Sequence, residues 1–130
     1  MRALNSYDYA VIRVVPCVER GEFINAGVIL FCRTNGFLGA LIHLDPQRLA
    51  ALAPHVDLAE VQGRLEIIPH ICAAGSDSGR IGQLSQSERF HWLVSPRSTI
   101  IQTSPVHSGL CSDPPETLQH LLTSMVLPHL

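Results

Sequence analysis

Lysine is absent from this chain: all nine of its basic side chains are arginines. Arginine does not simply replace the ammonium of a Schiff-base lysine, of a P-loop lysine, or of the lysine that pairs phosphates in a protein kinase. A self-sufficient kinase or P-loop NTPase is therefore not expected. Charge of one sign is also missing. The nine arginines and eleven acids leave a formal charge of -2, spread along the whole length without a block of either sign. Neither nucleic acid nor an anionic membrane finds an electrostatic footprint here. With no helix-turn-helix signature to offset that balance, nucleic-acid binding in the manner of an antitoxin is disfavoured.

The longest apolar run, Ala26 to Cys32, falls far short of the roughly 20 residues that a membrane span needs. Residues Met1 to Tyr9 carry neither the apolar core nor the small-residue cleavage site of a signal peptide. A cytoplasmic protein with no membrane partner is expected. Closely spaced cysteines are missing as well, since Cys17, Cys32, Cys72 and Cys111 contain no C-x-x-C pair. His70 and Cys72, joined by His43 and His107, could be imagined as a zinc site. Structural zinc normally recruits tightly spaced pairs, so buried core thiols fit better, and no metal or cofactor is called for.

What is present suits one domain spanning residues 1–130. A chain that is 46% hydrophobic and 15% charged has ample material for a core. Tyr7 to Val18 is rich in β-branched and aromatic residues and reads as a strand, with Pro16 pushing its far end to an edge or bulge. After the polar turn Glu19-Arg20-Gly21-Glu22, Phe23 to Cys32 reads as a central strand covered on both faces. Asn35-Gly36 is a strong hairpin signal, because it tolerates positive φ, and Phe37 to Leu44 pairs back. Three short-connected strands make an antiparallel meander.

Helices follow. Asp45-Pro46 opens a short one stopped by Pro54. Asp57 with Glu60 opens a longer one, in which Leu58, Val61, Leu65, Ile68 and Cys72 share a face and Pro69 should kink or break the backbone. Ala73 to Gln83 has the composition of a mobile surface loop. Ser85 with Glu88 begins a third helix, carrying Phe90 and Leu93 inward before Pro96. Ser98 to Val106 reads as a fourth strand, placed at an edge by Pro105. Asp113-Pro114-Pro115-Glu116 then opens a closing helix that buries Leu118, Leu121, Leu122, Met125 and Val126. The order is β-β-β-α-α-α-β-α, an α+β fold with an antiparallel sheet packed against helices, most economically in two layers. An edge strand near Pro16 or Pro105 would be protected by its own fold or by a second copy, which leaves a homo-oligomer open.

Candidate chemistry is sparse. Gly75 to Gly82 could cradle a phosphate, but it follows a helix and has no lysine behind it, so a connector explains it more simply. Arg13 and Asn25 interrupt apolar strands, and each must find a partner or cost about 1–3 kcal/mol. An ion pair from Arg13 to Asp8, Glu19 or Glu22 is expected ahead of a ligand contact. Glu19, Arg20 and Glu22 could do acid-base work, though charged turns are also what solvent favours. The densest cluster is Ser87-Glu88-Arg89-Phe90-His91-Trp92 with Pro96-Arg97-Ser98, Gln102, Ser104 and His107. It could build an anion or aromatic-ligand pocket, or it could be a solvated helix end with one core tryptophan. Ser98 with His107 lacks the acid and the elbow of a nucleophilic triad. Nothing here compels catalysis.

The stretches Tyr7 to Pro16, Glu19 to Val28, Ser87 to Trp92, Pro96 to Ser98 and Ser104 to Leu110 together resemble an uncharacterised bacterial family catalogued as a domain of unknown function. The resemblance runs from Tyr7 to about Val126. Its members are often encoded beside a HipA-like serine/threonine kinase, so it implies a kinase partner and a non-catalytic binding or regulatory role. It carries over no catalytic residues. The matching polar positions Arg13, Glu19, Arg20, Glu22, Asn25, Arg89, Arg97 and His107 are the candidate contacts, and a small enzyme or small-anion binder using Arg89, Arg97 and His107 is the alternative.

Overall fold

A computed structural model describes residues 3–75 and 78–128. Its meander is β1 (Asn5–Val14), β2 (Ile24–Cys32) and β3 (Phe37–Ile42). All pairings are antiparallel, and β2 lies between β1 and β3 as its apolar run requires. The turn into β3 departs from an Asn-Gly two-residue hairpin. The Gly36 amide donates to the Arg33 carbonyl at 3.0 Å, and of the two turn residues only Gly36 adopts positive φ, +61°. Asn35 uses its side chain instead, accepting from Asn5 Nδ2 at 2.6 Å and tying the turn to the start of β1.

Helices α1 (Pro46–Leu52), α2 (Leu58–Ala73), α3 (Gln86–Leu93) and α4 (Pro114–Met125) each begin at the expected cap, respectively Asp45, Asp57, Ser85 and Asp113. Each capping side chain accepts from an orphan amide of the first turn, and Ser85 with Glu88 forms a reciprocal capping box. Pro69 does not break α2, which continues to Ala73. A proline removes a single amide, the one that would donate to the Leu65 carbonyl. Ile68, Ile71 and Cys72 meanwhile bury against the sheet and hold the last turn in place. The connector after α2 is not coil throughout, since Ile81–Gln83 forms a 3-10 turn with Ile81 against the core. Ser76 and Asp77, in the middle of the proposed phosphate cradle, lie outside the described residues.

The fourth strand differs from expectation in a way Pro105 explains. Two short strands, β4 (Ile101–Thr103) and β5 (His107–Cys111), occupy its place, and both pair antiparallel with the second edge of β1. Between them Ser104 bonds to Val11 twice. Its amide donates to the Val11 carbonyl at 2.8 Å, and its hydroxyl accepts from the Val11 amide at 2.9 Å. The hydroxyl serves as the acceptor where the strand breaks before proline. β1 is thus central, and it ends at Val14, ahead of Pro16.

The layers also differ from the two that economy suggested. A bulge sets Gly27 opposite Ile12 and Asn25 opposite Arg13, so Ala26 is an extra residue on β2. It shifts the alternation of β2. Ile24, Ala26, Ile29 and Phe31 pack with Leu49, Val61, Leu65, Phe90 and Leu93 on a near face covered by α1, α2 and α3. Val28, Leu30 and Cys32 pack with Leu118, Leu121, Leu122 and Val126 on a far face covered by α4. The helices therefore sandwich the sheet. Each core aliphatic side chain removed from water contributes roughly 1.5–3 kcal/mol, and β2, buried on both sides, supplies more of these residues than any other element.

Candidate functional site

The residues singled out in the sequence do not form one site. Arg89 lies on the near face and is buried at 7% exposure. Its Nη1 donates to the carbonyls of Ile71 at 2.8 Å and Cys72 at 2.6 Å, and its Nε to that of Leu84 at 3.0 Å. The first two carbonyls lie at the end of α2, where helical donors run out, and Ile71 also accepts from the Ala74 amide at 3.1 Å, so the guanidinium acts as a cap and charge complement for that helix. Its Nε and Nη1 are committed inside the fold.

Arg97 has a similar duty at the end of α3. It donates to the carbonyls of Leu93 and Trp92, with its guanidinium stacked 4.3 Å from the centre of the Trp92 ring, and its burial lowers its pKa. Trp92 is not the core residue a helix end would suggest, since 39% of it stays exposed. His107 stands opposite Tyr9 on the far face, with ring centres 5.5 Å apart. The sheet therefore separates His107 from Arg89 and Arg97, and the Arg/His pocket the sequence suggested is not formed.

Arg13 and Asn25 do share the far face, as their register requires. Asn25 finds the partner that a polar residue in an apolar strand needs, while Arg13 does not form the expected ion pair. Asn25 Nδ2 donates to the Met125 carbonyl at 3.1 Å and caps the end of α4. Arg13 stacks over Phe23, 4.2 Å from the ring centre, and its buried Nε has no hydrogen-bond partner among the described residues. The expected ion pair to Asp8, Glu19 or Glu22 is replaced by this cation–π contact, because Arg13 faces α4 while Asp8 faces the other side of the sheet and Glu22 is taken by Arg20. That second pair, Arg20 Nε to Glu22 Oε1, is exposed and local to the turn, where it raises the Arg20 pKa by hydrogen bonding. Glu19 is exposed in the same turn. Among the described residues no group of three or more His, Cys, Asp or Glu could hold a metal, so His43, His70, Cys72 and His107 are not gathered.

What the structure does assemble is an apolar groove on the near face. Ile67, Ile68 and Ile71 of α2, Trp92 and Leu93 of α3, and Ile101 of β4 line it, with Arg64, Arg97 and Thr99 at its rim. Its volume is about 220 Å³. Pockets for whole small molecules run to roughly 300–1,000 Å³, so this one has room for an anchoring side chain. Ile67 is 52% exposed beside the exposed Trp92, an apolar pair left facing solvent with cations on either side. The sequence pattern on α2 identified Val61, Leu65, Ile68 and Cys72 as buried, included Leu58, which is exposed, and passed over Arg64, Ile67 and Ile71. Only the packing of α3 and β4 beside α2 makes them part of a groove.

A second concavity, of about 380 Å³, lies where the near face runs beyond α3. Asp8, Arg33 and His91 border it over Phe31. Ser108 donates to Asp8 Oδ1 at 2.6 Å, Arg33 Nη2 donates to Ser87 Oγ at 3.1 Å, and His91 Nδ1 donates to the Ser87 carbonyl at 2.6 Å. Asp8, Arg33 and His91 thus each have a partner within the fold, and the Ser87 hydroxyl lies 3.5 Å from His91 Nδ1.

Among curated proteins and among solved structures, none matches the chain. A family model does. It is described as a protein of unknown function, DUF3037, and it matches residues 9–126, nearly the whole chain. The chain belongs to this family.

Proposed function

We propose that this DUF3037 protein is a non-catalytic binding module that docks a protein partner through the groove between α2, α3 and β4. The observation that carries the reading is the exposed pair Ile67 and Trp92, held over an apolar floor and flanked by Arg64 and Arg97. Aromatic and arginine side chains around a small apolar pocket are the composition of interface anchors. Trp92 and Arg97 are also pre-organised, since the guanidinium is already stacked and hydrogen-bonded. Little side-chain entropy remains to be lost on docking.

The partner we propose is the HipA-like kinase implied by the resemblance, met in the cytoplasm. The setting is supported by four free thiols, one of them exposed at Cys17, and by the lack of any helix among the described residues long and apolar enough to cross a membrane. The partner surface should offer an apolar side chain next to carboxylates, complementary to the two arginines.

Co-expression with the neighbouring kinase followed by size-exclusion chromatography tests this. Co-elution is expected, with Trp92→Ala weakening the complex by about 2 kcal/mol, roughly thirtyfold, as an interface anchor does. Separate elution of the wild-type proteins at micromolar concentration would overturn it.

A further inference from the structure

The edge of the sheet formed by β5 lacks the usual protections. Natural edge strands are blunted by lysines or other charges, by proline, by a bulge, or by a covering element. Residues 106 to 112, Val-His-Ser-Gly-Leu-Cys-Ser, contain no Asp, Glu, Lys, Arg or proline. On its inner side β5 pairs with β1 from Asn5 to Tyr9, and among the described residues nothing pairs with its outer side. The opposite edge of the sheet, β3, is instead flanked by α2 and α4, one on each face.

The side chains beside β5 point the same way. Leu110 at 66% and Leu4 at 63% are the most exposed large hydrophobic residues described, and Val106 at 43% stands at the start of the strand. Leu110 lies opposite Ser6 in the register, and Leu4, just before β1, borders the same concavity as Leu110, so the two form one apolar corner at the edge. Single exposed aliphatic residues need no explanation, but two this exposed beside an unpaired strand do.

We propose that the outer edge of β5 pairs with the β5 of a second copy of this chain, antiparallel about a two-fold axis near Gly109, so that two sheets become one. A second copy fits better than a foreign strand because an isologous contact makes one edge its own complement, residue i of each copy meeting residue j of the other. A charged edge would repel its copy. This one carries no Asp, Glu, Lys or Arg, and it supplies its own complement: about Gly109, Leu110 of each copy faces Ser108 of the other, and the two Leu110 side chains meet on the diagonal. Such a short strand pair buries less than the ~2,000 Å² or more of an obligate dimer, so the association depends on concentration. It leaves the groove free, since Thr99 and Ile101 lie on the other side of Pro105 from β5.

Sedimentation velocity of the full chain across a concentration series, with hydrogen exchange read at both ends of that series, tests the proposal. A shift from monomer to dimer with concentration is expected, together with slower exchange confined to residues 107–111. Leu110→Lys, at a site exposed enough to leave folding intact, should remove both effects, while Ile67→Lys in the groove should remove neither. A wild-type chain that stays monomeric throughout would overturn the pairing. So would a dimer whose protection lies outside β5.

Discussion

Arg89 Nη1 meets the Cys72 carbonyl at 2.6 Å, and this contact joins α3 to the end of α2. Carbonyls that lose a donor inside the fold are costly, and here one side chain donates to three of them, Ile71, Cys72 and Leu84. Arg89→Met should therefore lower stability by on the order of 3 kcal/mol. Arg89→Lys should lose less, because a single ammonium keeps the charge but cannot span Leu84 and the α2 end together. Urea unfolding checks this as a fall in midpoint at constant m-value.

Ala74 ends α2 in the left-handed region, at φ 55° and ψ 38°, a conformation that costs an L-residue about 1–2 kcal/mol. Glycine occupies it freely, although it loses more entropy on folding. Ala74→Gly should accordingly raise stability by several tenths to about 1 kcal/mol, read as a higher melting temperature.

A Cβ added at Gly109 would lie 2.6 to 2.9 Å from the Tyr7 ring and hydroxyl, which cross β5 at that point. Gly109→Ala should destabilise by about 1–3 kcal/mol through overpacking. In a Tyr7→Leu background the same change should cost clearly less. A double-mutant cycle with no coupling would show that the ring moves aside freely.

Burial pushes the Cys72 thiol from 9.0 to about 12, with Arg89 partly opposing the rise. The unfolded chain releases this proton near pH 9, whereas the folded chain holds it until about 12. The group's contribution is thus fully present below pH 9 and is lost as pH rises toward 12, at about 1.4 kcal/mol per unit. Urea midpoints at alkaline pH should fall more steeply for the wild type than for Cys72→Ala. At pH 8, alkylation should modify the exposed Cys17 quickly and Cys72 only in denaturant.

Local signals carried much of this fold. Asp45, Asp57, Ser85 and Asp113 cap helices where the sequence places them, because a cap is an interaction between residues three apart. The break at Pro105 was half legible: proline marks the edge, but the Ser104 hydroxyl that bonds to Val11 depends on a neighbour 93 positions away. Arg89 misled for a related reason. Its charge reads as a ligand contact in the sequence, and only the arrival of α2 beside α3 assigns it to carbonyls.

By itself the sequence determined the four helices and the antiparallel meander, since periodicity, capping and turn chemistry act within a few residues. It also determined that no lysine chemistry is available. The tertiary structure decided the rest. An extra residue at Ala26 shifts which side chains of β2 face which helices, α4 crosses to the far face, and the sheet comes between His107 and the two arginines it was expected to join. Whether residues distant in the chain share a pocket depends on which face of the sheet each meets, and a shift of one position exchanges the faces.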